Sequence, residues 1–247
     1  MIRVFLVRHG QTWLNAAGRV SGLMDPGLDA IGRQQAEALT SILPQGERFN
    51  IVASPLRRAW QTAQIVAKGS PVTVIPEFRD RDYGPWTGWP ACEVSERFGR
   101  VDNAPGIEPA ATFMRRVAQA LERTVRTYPN RTLIVMGHAA VNRAVFGWFF
   151  PGWKGVLPRV PQHPGCWNCI DVDGEQWELL AVNSKPADMP VAGARQDGAN
   201  DRGRPISFAL DGVTPYAVAH HSRGRRASNA NQPAACDSPI PTLYGGD

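Results

Sequence analysis

Short apolar runs alternate along the chain with segments in which apolar side chains recur at helical spacing. Residues 2–7 form the first such run, and their mostly aliphatic, β-branched composition predicts a strand that is buried on both faces. Further strands are predicted over residues 51–53, 72–75, 132–136, 169–172 and 176–182. Helices are predicted over residues 30–43, 56–67, 91–98, 112–128 and 139–150. This alternation indicates the α/β class, as a three-layer sandwich whose mainly parallel sheet carries helices on both faces.

Local signals predict where several elements begin or turn. Asp29 stands directly before the first long helix and can cap its N-terminus. Ser54 and Pro55 place a capping hydroxyl and a first-turn proline before the next helix. The pair Asp173-Gly174 is a hairpin signal between the last two strands. Residues 77–90 are rich in Gly, Pro and aromatic side chains, which predicts an ordered loop.

The composition changes near residue 183. All eight tryptophans lie between Trp13 and Trp177, whereas residues 184–247 contain neither Trp nor Glu and are rich in Gly and Pro. Such a segment cannot bury enough apolar surface to offset the entropy lost on ordering. We therefore predict one folded domain over residues 1–183 and a disordered Gly/Pro-rich tail over residues 184–247.

The charge is mildly basic, with 27 Lys and Arg against 22 Asp and Glu. No segment is strongly basic, so we expect no nucleic-acid partner. Only Lys68, Lys154 and Lys185 are lysines; the excess of arginine suits phosphate or carboxylate recognition, although a GC-rich genome gives the same bias. No apolar run has the length of a membrane span and no secretory leader is visible. We expect a cytoplasmic protein without membrane contact, and the sequence indicates no oligomeric state.

Cys166 and Cys169 form a C-x2-C pair close to His163, a spacing found in zinc and redox sites. No second ligand pair follows, and the surrounding residues favour a strand. Four cysteines are also too few for a disulfide scaffold in a chain of 247 residues. We therefore expect neither a metal nor a cofactor.

Histidines and arginines follow three of the predicted strands. His9 follows the first strand directly after Arg8, Arg57 and Arg58 follow the second, and His138 follows the strand over residues 132–136. Ligands of parallel sheets bind beyond the carboxyl ends of the strands. Either histidine alone could be a buried structural residue, but their coincidence with arginines at one edge favours an anion site.

The segment Arg8-His9-Gly10-Gln11-Thr12, together with Asn15, resembles the signature of the histidine phosphatase superfamily, also called the phosphoglycerate mutase-like family. The resemblance spans residues 2–183 and implies the fold of that family. Further matching segments follow in the family's order: Ser21-Gly22 with Asp25 and Leu28, Gly32 with Gln35-Ala36, Ser54-Pro55-Leu56 with Arg58-Ala59 and Gln61-Thr62-Ala63, and Gly137-His138.

The resemblance implies a histidine acid phosphatase-type phosphoric monoester hydrolase that needs no metal and acts on a small phosphorylated substrate. His9 would attack phosphorus and form a phosphohistidine, while Arg8, Arg58 and His138 hold the phosphoryl oxygens. Arg57 competes with Arg58, but the family pattern places the working arginine directly before Ala-x-x-Thr, which selects Arg58. The implied substrate contacts are Arg8, Gly10, Gln11, Thr12, Asn15, Ser21, Gly22, Arg58 and Ala139.

The leaving oxygen must receive a proton, so a carboxylic acid is expected near the site. Residues 80–88 resemble the family's acid loop E-x-x-[FY]-G-x-[WL]-x-G, with Asp80 in place of the glutamate and therefore one methylene shorter. Asp82 and Glu77 are alternative acids. Ala139 is a second departure, because many relatives have glycine after the second histidine.

Two other functions compete with hydrolysis. Mutases of the family carry long insertions between the acid loop and the second histidine, whereas only 58 positions lead from Asp80 to His138, which favours a phosphatase. A catalytically silent phosphate-binding module would result if Asp80 were not a competent acid. Glu108 or a wall of aromatic side chains could contact a larger leaving group, unless those aromatics belong to the core. The aromatics in question are Trp86, Trp89, Phe113, Trp148, Phe149 and Trp153.

Overall fold

A computed structural model describes residues 1–43, 49–129 and 131–186 of the chain. The strands within these residues are β1 (Ile2–Arg8), β2 (Phe49–Ala53), β3 (Val72–Val74), β4 (Thr132–Gly137), β5 (Trp167–Asp173) and β6 (Gln176–Ser184). The α-helices are α1 (Trp13–Ala16), α2 (Ala30–Leu39), α3 (Arg57–Ala67), α4 (Ala91–Phe98), α5 (Ala110–Thr127) and α6 (Ala139–Phe149). Short 3-10 helices cover Pro76–Phe78, Gly84–Trp86, Val101–Asn103 and Pro151–Trp153.

The strands form one sheet in the order β3-β2-β4-β1-β5-β6. The first four strands in that order are parallel, whereas β5 runs antiparallel to β1 and β6 antiparallel to β5. Val7 of β1 and Ala53 of β2 both pair with Met136 of β4. The carboxyl ends of three neighbouring strands therefore meet at one edge of the sheet. The predicted α/β class with a mainly parallel sheet is confirmed.

Alternate side chains of the central strands enter two apolar layers. In β1, Val4 and Leu6 pack in the layer beneath α5 and α6, and Phe5 and Val7 pack in the layer beneath α2 and α3. All four side chains are buried. A strand between two helical layers has no solvent face, which explains why its sequence is an almost continuous apolar run.

Two of the local signals are confirmed. The Asp29 carboxylate accepts a hydrogen bond of 2.7 Å from the Gly32 N–H and so caps α2. Asp173 pairs with Gln176 across the turn between β5 and β6, and Gly174 has a φ of 60°, as this type of hairpin turn requires.

The helix α2 ends at Leu39, four residues before the predicted end. The hydroxyl groups of Thr40 and Ser41 donate to the carbonyls of Glu37 and Ala38 at 2.7 and 2.8 Å. These side-chain bonds satisfy carbonyls that a longer helix would bond through its backbone, and the chain turns instead.

The helix α3 begins at Arg57, so Pro55 precedes the helix rather than lying in its first turn. Leu56 is the N-cap residue, and no side chain caps this helix. The hydroxyl of Ser54 instead accepts the Leu56 N–H at 3.2 Å. The predicted capping role of Ser54 is therefore wrong. The four-residue helix α1 was not predicted; Thr12 caps it.

No helix among the described residues is both long and apolar enough to cross a bilayer. The predicted domain boundary at residue 183 falls next to Ser184, where β6 ends. Residues 187–247, which make up nearly all of the predicted tail, lie outside the described residues.

Candidate active site

A cavity of about 280 Å³ lies at the edge of the sheet where β1, β2 and β4 end. His9 follows β1, Arg58 lies in the first turn of α3 after β2, and His138 is the N-cap residue of α6 after β4. Parallel neighbouring strands deliver these side chains to one place although they are far apart in sequence. The cavity is lined by Arg8, His9, Asn15, Arg19, Val20, Ser21, Gly22, Asp80, Tyr83, Ala91, Val101, Asp102, Ala139, Ala140 and Arg143.

The His9 ring is held in one tautomer by its own backbone. Its Nδ1 lies 2.6 Å from the carbonyl oxygen of Gly10, and because a carbonyl only accepts, Nδ1 carries the proton. The lone pair is then on Nε2, which accepts a hydrogen bond of 3.1 Å from Arg58 Nε. Burial, followed by the positive charges of Arg58 and Arg8, lowers the pKa of His9 well below its ordinary value. His9 is therefore neutral at pH 7, which is the form of imidazole that can act as a nucleophile.

Arg58 is fully buried and holds the floor of the site together. Its two amino groups donate to the carbonyls of Met24 and Gly22 at 2.6 and 2.9 Å, and to Asp80 Oδ2 at 3.0 Å. The neighbouring Arg57 is exposed. The structure thus brings Arg58, rather than Arg57, to the site.

Arg8 is a second cation at the cavity, and it is half-buried. One of its amino groups donates to the carbonyl of Gln162, and its Nε has no hydrogen-bond partner among the described residues. Burial lowers the pKa of Arg8 to about 10, because desolvation outweighs the opposing influence of Cys166 and Asp80. The guanidinium is still charged at pH 7, and its positive field is available to an anion in the cavity.

His138 presents an unpartnered ring nitrogen beside the acid loop. Its Nε2 lies 2.8 Å from the Ser54 hydroxyl, which already accepts the Leu56 N–H and can therefore donate its own proton to Nε2. Nδ1 then carries the ring proton. It lies 3.7 Å from Asp80 Oδ2 and has no hydrogen-bond partner among the described residues. Burial, then the nearby Arg58 and His9, lowers the pKa of His138 well below the ordinary value.

Asp80 is the carboxylate closest to these groups and is only 8% exposed. Its Oδ2 accepts from Arg58 and its Oδ1 accepts the Arg81 N–H at 3.0 Å. Burial nevertheless raises the pKa of Asp80, because desolvation outweighs the stabilisation of the charged form by Arg58 and the Arg81 N–H. A raised pKa favours the protonated carboxyl that a proton donor needs.

Arg116 fixes the backbone of the acid loop. It donates to the carbonyls of Glu77, Arg79 and Asp80 at 2.6, 3.0 and 2.9 Å, and to both carboxylate oxygens of Glu108 at 2.8 Å. Burial is the largest single influence and raises the pKa of Glu108, but the hydrogen bonds and charge of Arg116, together with the Asp82 N–H and the charge of Arg79, outweigh it, so the net pKa is lowered. Glu108 is thus committed to Arg116 and does not line the cavity, so it is not placed to contact a leaving group.

The two alternative acids lie elsewhere. Asp82 is exposed and accepts the Gly84 N–H at 2.8 Å. Glu77 forms an exposed ion pair of 2.8 Å with Arg123. Neither lines the cavity, so Asp80 is the predicted acid that the structure brings to the histidines.

Comparisons with known proteins agree with this arrangement. The family model of the histidine phosphatase superfamily (branch 1) matches residues 4–185. The chain belongs to this superfamily. Phosphoserine phosphatase 1 of Hydrogenobacter thermophilus is 34% identical over 158 residues, which are 59% of this chain and 75% of that protein. An uncharacterized phosphatase of Bacillus subtilis is 32% identical over 186 residues, covering 74% of this chain and 95% of its own length. These relatives support phosphatase activity.

A solved structure shows the same fold. The mycobacterial glucosyl-3-phosphoglycerate phosphatase, solved in complex with VO3, superposes with a TM-score of 0.65 at 24% identity and covers 74% of this chain and 99% of its own. The likeness confirms the fold that the motifs implied.

Four of the predicted neutral substrate contacts line the cavity: Asn15, Ser21, Gly22 and Ala139. Asn15 Nδ2 lies 3.5 Å from the Ser21 hydroxyl, so the two polar groups share one wall. Ala139 is the first residue of α6, where a backbone N–H has no partner within the helix. These groups can donate hydrogen bonds to an anion without adding charge.

The other three predicted contacts do not reach the cavity, and the prediction needs correction there. The N–H groups of Gly10, Gln11 and Thr12 donate to the side chains of Thr62, Gln35 and Asn15, respectively. Their partners already satisfy them, so these residues shape the loop after β1 rather than bind substrate. Gly10 is required for another reason, since a Cβ there would lie 2.2 Å from the Gly32 carbonyl oxygen.

The aromatic side chains considered as a substrate wall also lie away from the cavity. Trp86 packs against Trp89 and Phe98 and donates to the Pro105 carbonyl, while Phe113 is buried in the core. The remaining three, Trp148, Phe149 and Trp153, belong to the end of α6 and the 3-10 helix that follows it. The aromatic wall, which the sequence left open as an alternative to packing in the core, is therefore not formed at the site.

The C-x2-C pair is divided between a loop and a strand. Cys166 precedes β5 and Cys169 lies within it, and both are buried free thiols. Residues 1–43, 49–129 and 131–186 contain no group of three His, Cys, Asp or Glu side chains placed to hold a metal ion.

Sequence reasoning missed four polar residues of the cavity: Arg19, Tyr83, Asp102 and Arg143. Arg143 lies four positions after Ala139 and three after Ala140, which both line the cavity, so the three residues share one face of α6. That helical spacing is the one signal that could have identified it. Asp102 accepts from both Arg81 and Arg100, at 2.8 and 3.0 Å.

Proposed function

We propose that this protein is a metal-independent phosphomonoester hydrolase of the histidine acid phosphatase type, in which His9 forms the phosphohistidine. The observation that carries the proposal is the neutral His9 ring, whose Nδ1 is bound to the Gly10 carbonyl and whose Nε2 lies next to Arg58. A fixed tautomer with its lone pair at a cationic cavity is suited to attack on a phosphoryl dianion.

Binding of the dianion would change the partners of Arg58. Its Nε–H donates to the His9 lone pair, and phosphoryl oxygens are stronger acceptors than a neutral ring nitrogen. Transfer of this hydrogen bond to the phosphoryl group frees Nε2 for in-line attack. Arg8, His138 Nδ1–H and the Ala139 N–H supply further donors, so the oxygens are held by fixed charges and dipoles.

Asp80 would act as acid and then as base. As the N–P bond forms at His9, the bond between phosphorus and the leaving oxygen breaks, and the protonated Asp80 gives its proton to that oxygen. Water then attacks the phosphohistidine, its proton passes to the Asp80 carboxylate, and the N–P bond breaks. Phosphate is released, and His9 and Asp80 return to their starting forms.

Hydrolysis is favoured over the two alternatives on separate grounds. The short connection between Asp80 and His138 leaves no room for the long insertions of the mutases, and the relatives above include phosphatases. A silent module is disfavoured because Asp80 contacts Arg58 and lies beside His138. The phosphoserine phosphatase among the relatives supports a small phosphorylated metabolite as substrate.

The test is hydrolysis of p-nitrophenyl phosphate in buffer containing a chelator. His9→Ala should abolish turnover, and brief reaction with labelled substrate should trap an acid-labile phosphoprotein in the wild type alone. His163→Ala is the matched control, because His163 is exposed and does not line the cavity. Turnover retained by His9→Ala would refute the mechanism. Interconversion of 2- and 3-phosphoglycerate without phosphate release would favour a mutase.

A further inference from the structure

A second cleft adjoins the cavity beside Arg143 of α6. It has a volume of about 460 Å³ and shares Val101, Asp102 and Arg143 with the cavity. Beyond these shared residues it is bordered by Arg100 and Arg159. A phosphoryl group held at His9 therefore has a polar space next to its cavity.

Two arginines of this cleft, Arg143 and Arg159, have no ion pair among the described residues. Asp102 is the carboxylate between the two spaces, and it already pairs with both Arg81 and Arg100. Arg143 donates from Nε to the Val160 carbonyl at 2.9 Å, which fixes the side chain and leaves both terminal amino groups without a partner among the described residues. Arg159 is exposed and has no ion pair within those residues.

The fixed charge exceeds what one phosphoryl group can balance. A phosphomonoester dianion at His9 meets Arg8 and Arg58 first, and the cavity wall adds Arg19, whose amino group is held by the Gly88 carbonyl at 2.7 Å. Arg143 still faces the space beyond. Its charge is one of the influences that lower the pKa of Arg8, which reflects how close these two cations lie.

We propose that the Arg143 and Arg159 cleft binds a second anionic group on the substrate, a carboxylate or a phosphate carried by the leaving alcohol. This inference rests on the proposed phosphatase function and adds the class of its substrate. Arginine suits such a group because its planar fork can pair with two oxygens at once. The position of Arg143 between the two spaces makes it the residue that distinguishes an anionic leaving group from a neutral one.

The test compares substrates that differ only in the second anion. 3-Phosphoglycerate and glycerol 3-phosphate differ by a carboxylate in place of a hydroxymethyl group, and propane-1,3-diol bisphosphate with its monophosphate tests a second phosphate instead. In at least one of these two pairs, kcat/KM should be at least about tenfold higher for the substrate that carries the second anion, as expected for hydrogen bonds to a charged group. Arg143→Gln and Arg159→Gln should reduce that ratio toward one.

The control is Arg126→Gln, because Arg126 lies on α5, far from both spaces, in an exposed pair with Glu122. It should keep the wild-type ratio. If Arg143→Gln does not fold, Arg159→Gln carries the test, since its side chain is exposed. A binding measurement complements the kinetics: calorimetric affinity of His9→Ala for 3-phosphoglycerate should exceed that for glycerol 3-phosphate, and Arg143→Gln in that background should remove the difference.

Equal kcat/KM for anionic and neutral members in both pairs would overturn the inference, as would a ratio unchanged by both cleft variants. Hydrolysis of p-nitrophenyl phosphate by the wild type separates this failure from failure of the proposed function. If that substrate and glycerol 3-phosphate are hydrolysed as well as the anionic substrates, the phosphatase stands and the second anion site does not. If no phosphomonoester is hydrolysed, both proposals are wrong.

Discussion

Replacing Asp80 with asparagine removes the proposed proton donor and keeps the size of the side chain. The carboxyl lies 3.0 Å from Arg58 Nη2 and 3.7 Å from His138 Nδ1, and burial raises its pKa. An alkoxide leaving group depends fully on that proton, whereas p-nitrophenolate leaves without one. We expect kcat for an alkyl phosphate to fall about 10²–10⁴-fold, or about 3–5 kcal/mol of barrier, and kcat for p-nitrophenyl phosphate to fall less than about tenfold.

The assay is steady-state kinetics with a series of phosphomonoesters of increasing leaving-group pKa. The wild type should show a weak dependence of kcat on that pKa, and Asp80→Asn a steep one. Asp82→Asn is the matched control, since Asp82 lies in the same loop but is exposed and away from the cavity. Asp80→Glu should retain a weak dependence, because it keeps the acid. Equal losses for alkyl and p-nitrophenyl substrates in Asp80→Asn would refute the assignment of the acid.

The pH profile provides a second check on the same assignment. Because the pKa of Asp80 is raised, the protonated acid persists to higher pH than an ordinary aspartic acid, and kcat for alkyl phosphates should decline as the pH rises through that pKa. The decline should be missing in Asp80→Asn. If kcat declines over the same pH range in the wild type and in Asp80→Asn, a group other than Asp80 is titrating.

Three further predictions follow from the structure. Arg116→Gln frees the backbone of the acid loop, so kcat for alkyl phosphates should fall at least about tenfold while kcat for p-nitrophenyl phosphate changes less than about threefold; equal losses would indicate a merely structural role. Gly10→Ala should lower the free energy of unfolding by about 3 kcal/mol in urea titrations, because its Cβ would lie 2.2 Å from the Gly32 carbonyl, whereas Gly152→Ala meets no atom within 4 Å and should not. The pKa values of His9 and His138 are lower in the folded protein than in the unfolded chain, so the neutral rings support the folded state above pH 6.5. Acidification from pH 7 to pH 5 should lower the free energy of unfolding by up to about 2 kcal/mol for each histidine. Urea titrations that give the same free energy of unfolding at both pH values would contradict this prediction.

The sequence predicts the fold and the centre of the site for one shared reason. An almost continuous apolar run such as that of β1 identifies a strand covered on both faces, and such strands lie in the middle of a parallel sheet. Residues that directly follow them must reach the same edge. His9 and His138 could therefore be placed together before any coordinates were known, and the helical start after β2 brought Arg58 to them.

The remaining contacts depend on partners that are distant in sequence. Whether the N–H groups of Gly10 and Gln11 are free for a ligand is decided by Thr62 and Gln35, which lie 52 and 24 positions away. Helical spacing can place Arg143 on the cavity face of α6, but only the packed structure shows that its terminal amino groups have no carboxylate partner among the described residues. A sequence motif predicts where a residue lies. Only the packed structure shows which of its hydrogen-bond donors are free to bind a ligand.

The cationic cluster proposed to bind the phosphoryl group would also prepare the proposed nucleophile, His9. Arg8 and Arg58 lower the pKa of His9, so the ring stays neutral and its lone pair is kept at pH values where a free histidine would begin to protonate. The same charges act on His138, whose Nδ1–H then serves as a neutral donor. Because both histidines are neutral at pH 7, the attraction for an anionic substrate comes from the arginines. The need for arginine charge explains why Arg8, Arg19 and Arg143 line a cavity of about 280 Å³, with Arg58 buried beneath it. The position of Arg58 also explains how Asp80, one methylene shorter than glutamate, can be the proposed acid. Arg58 contacts both Asp80 and His9, so one arginine positions the proposed acid and the proposed nucleophile.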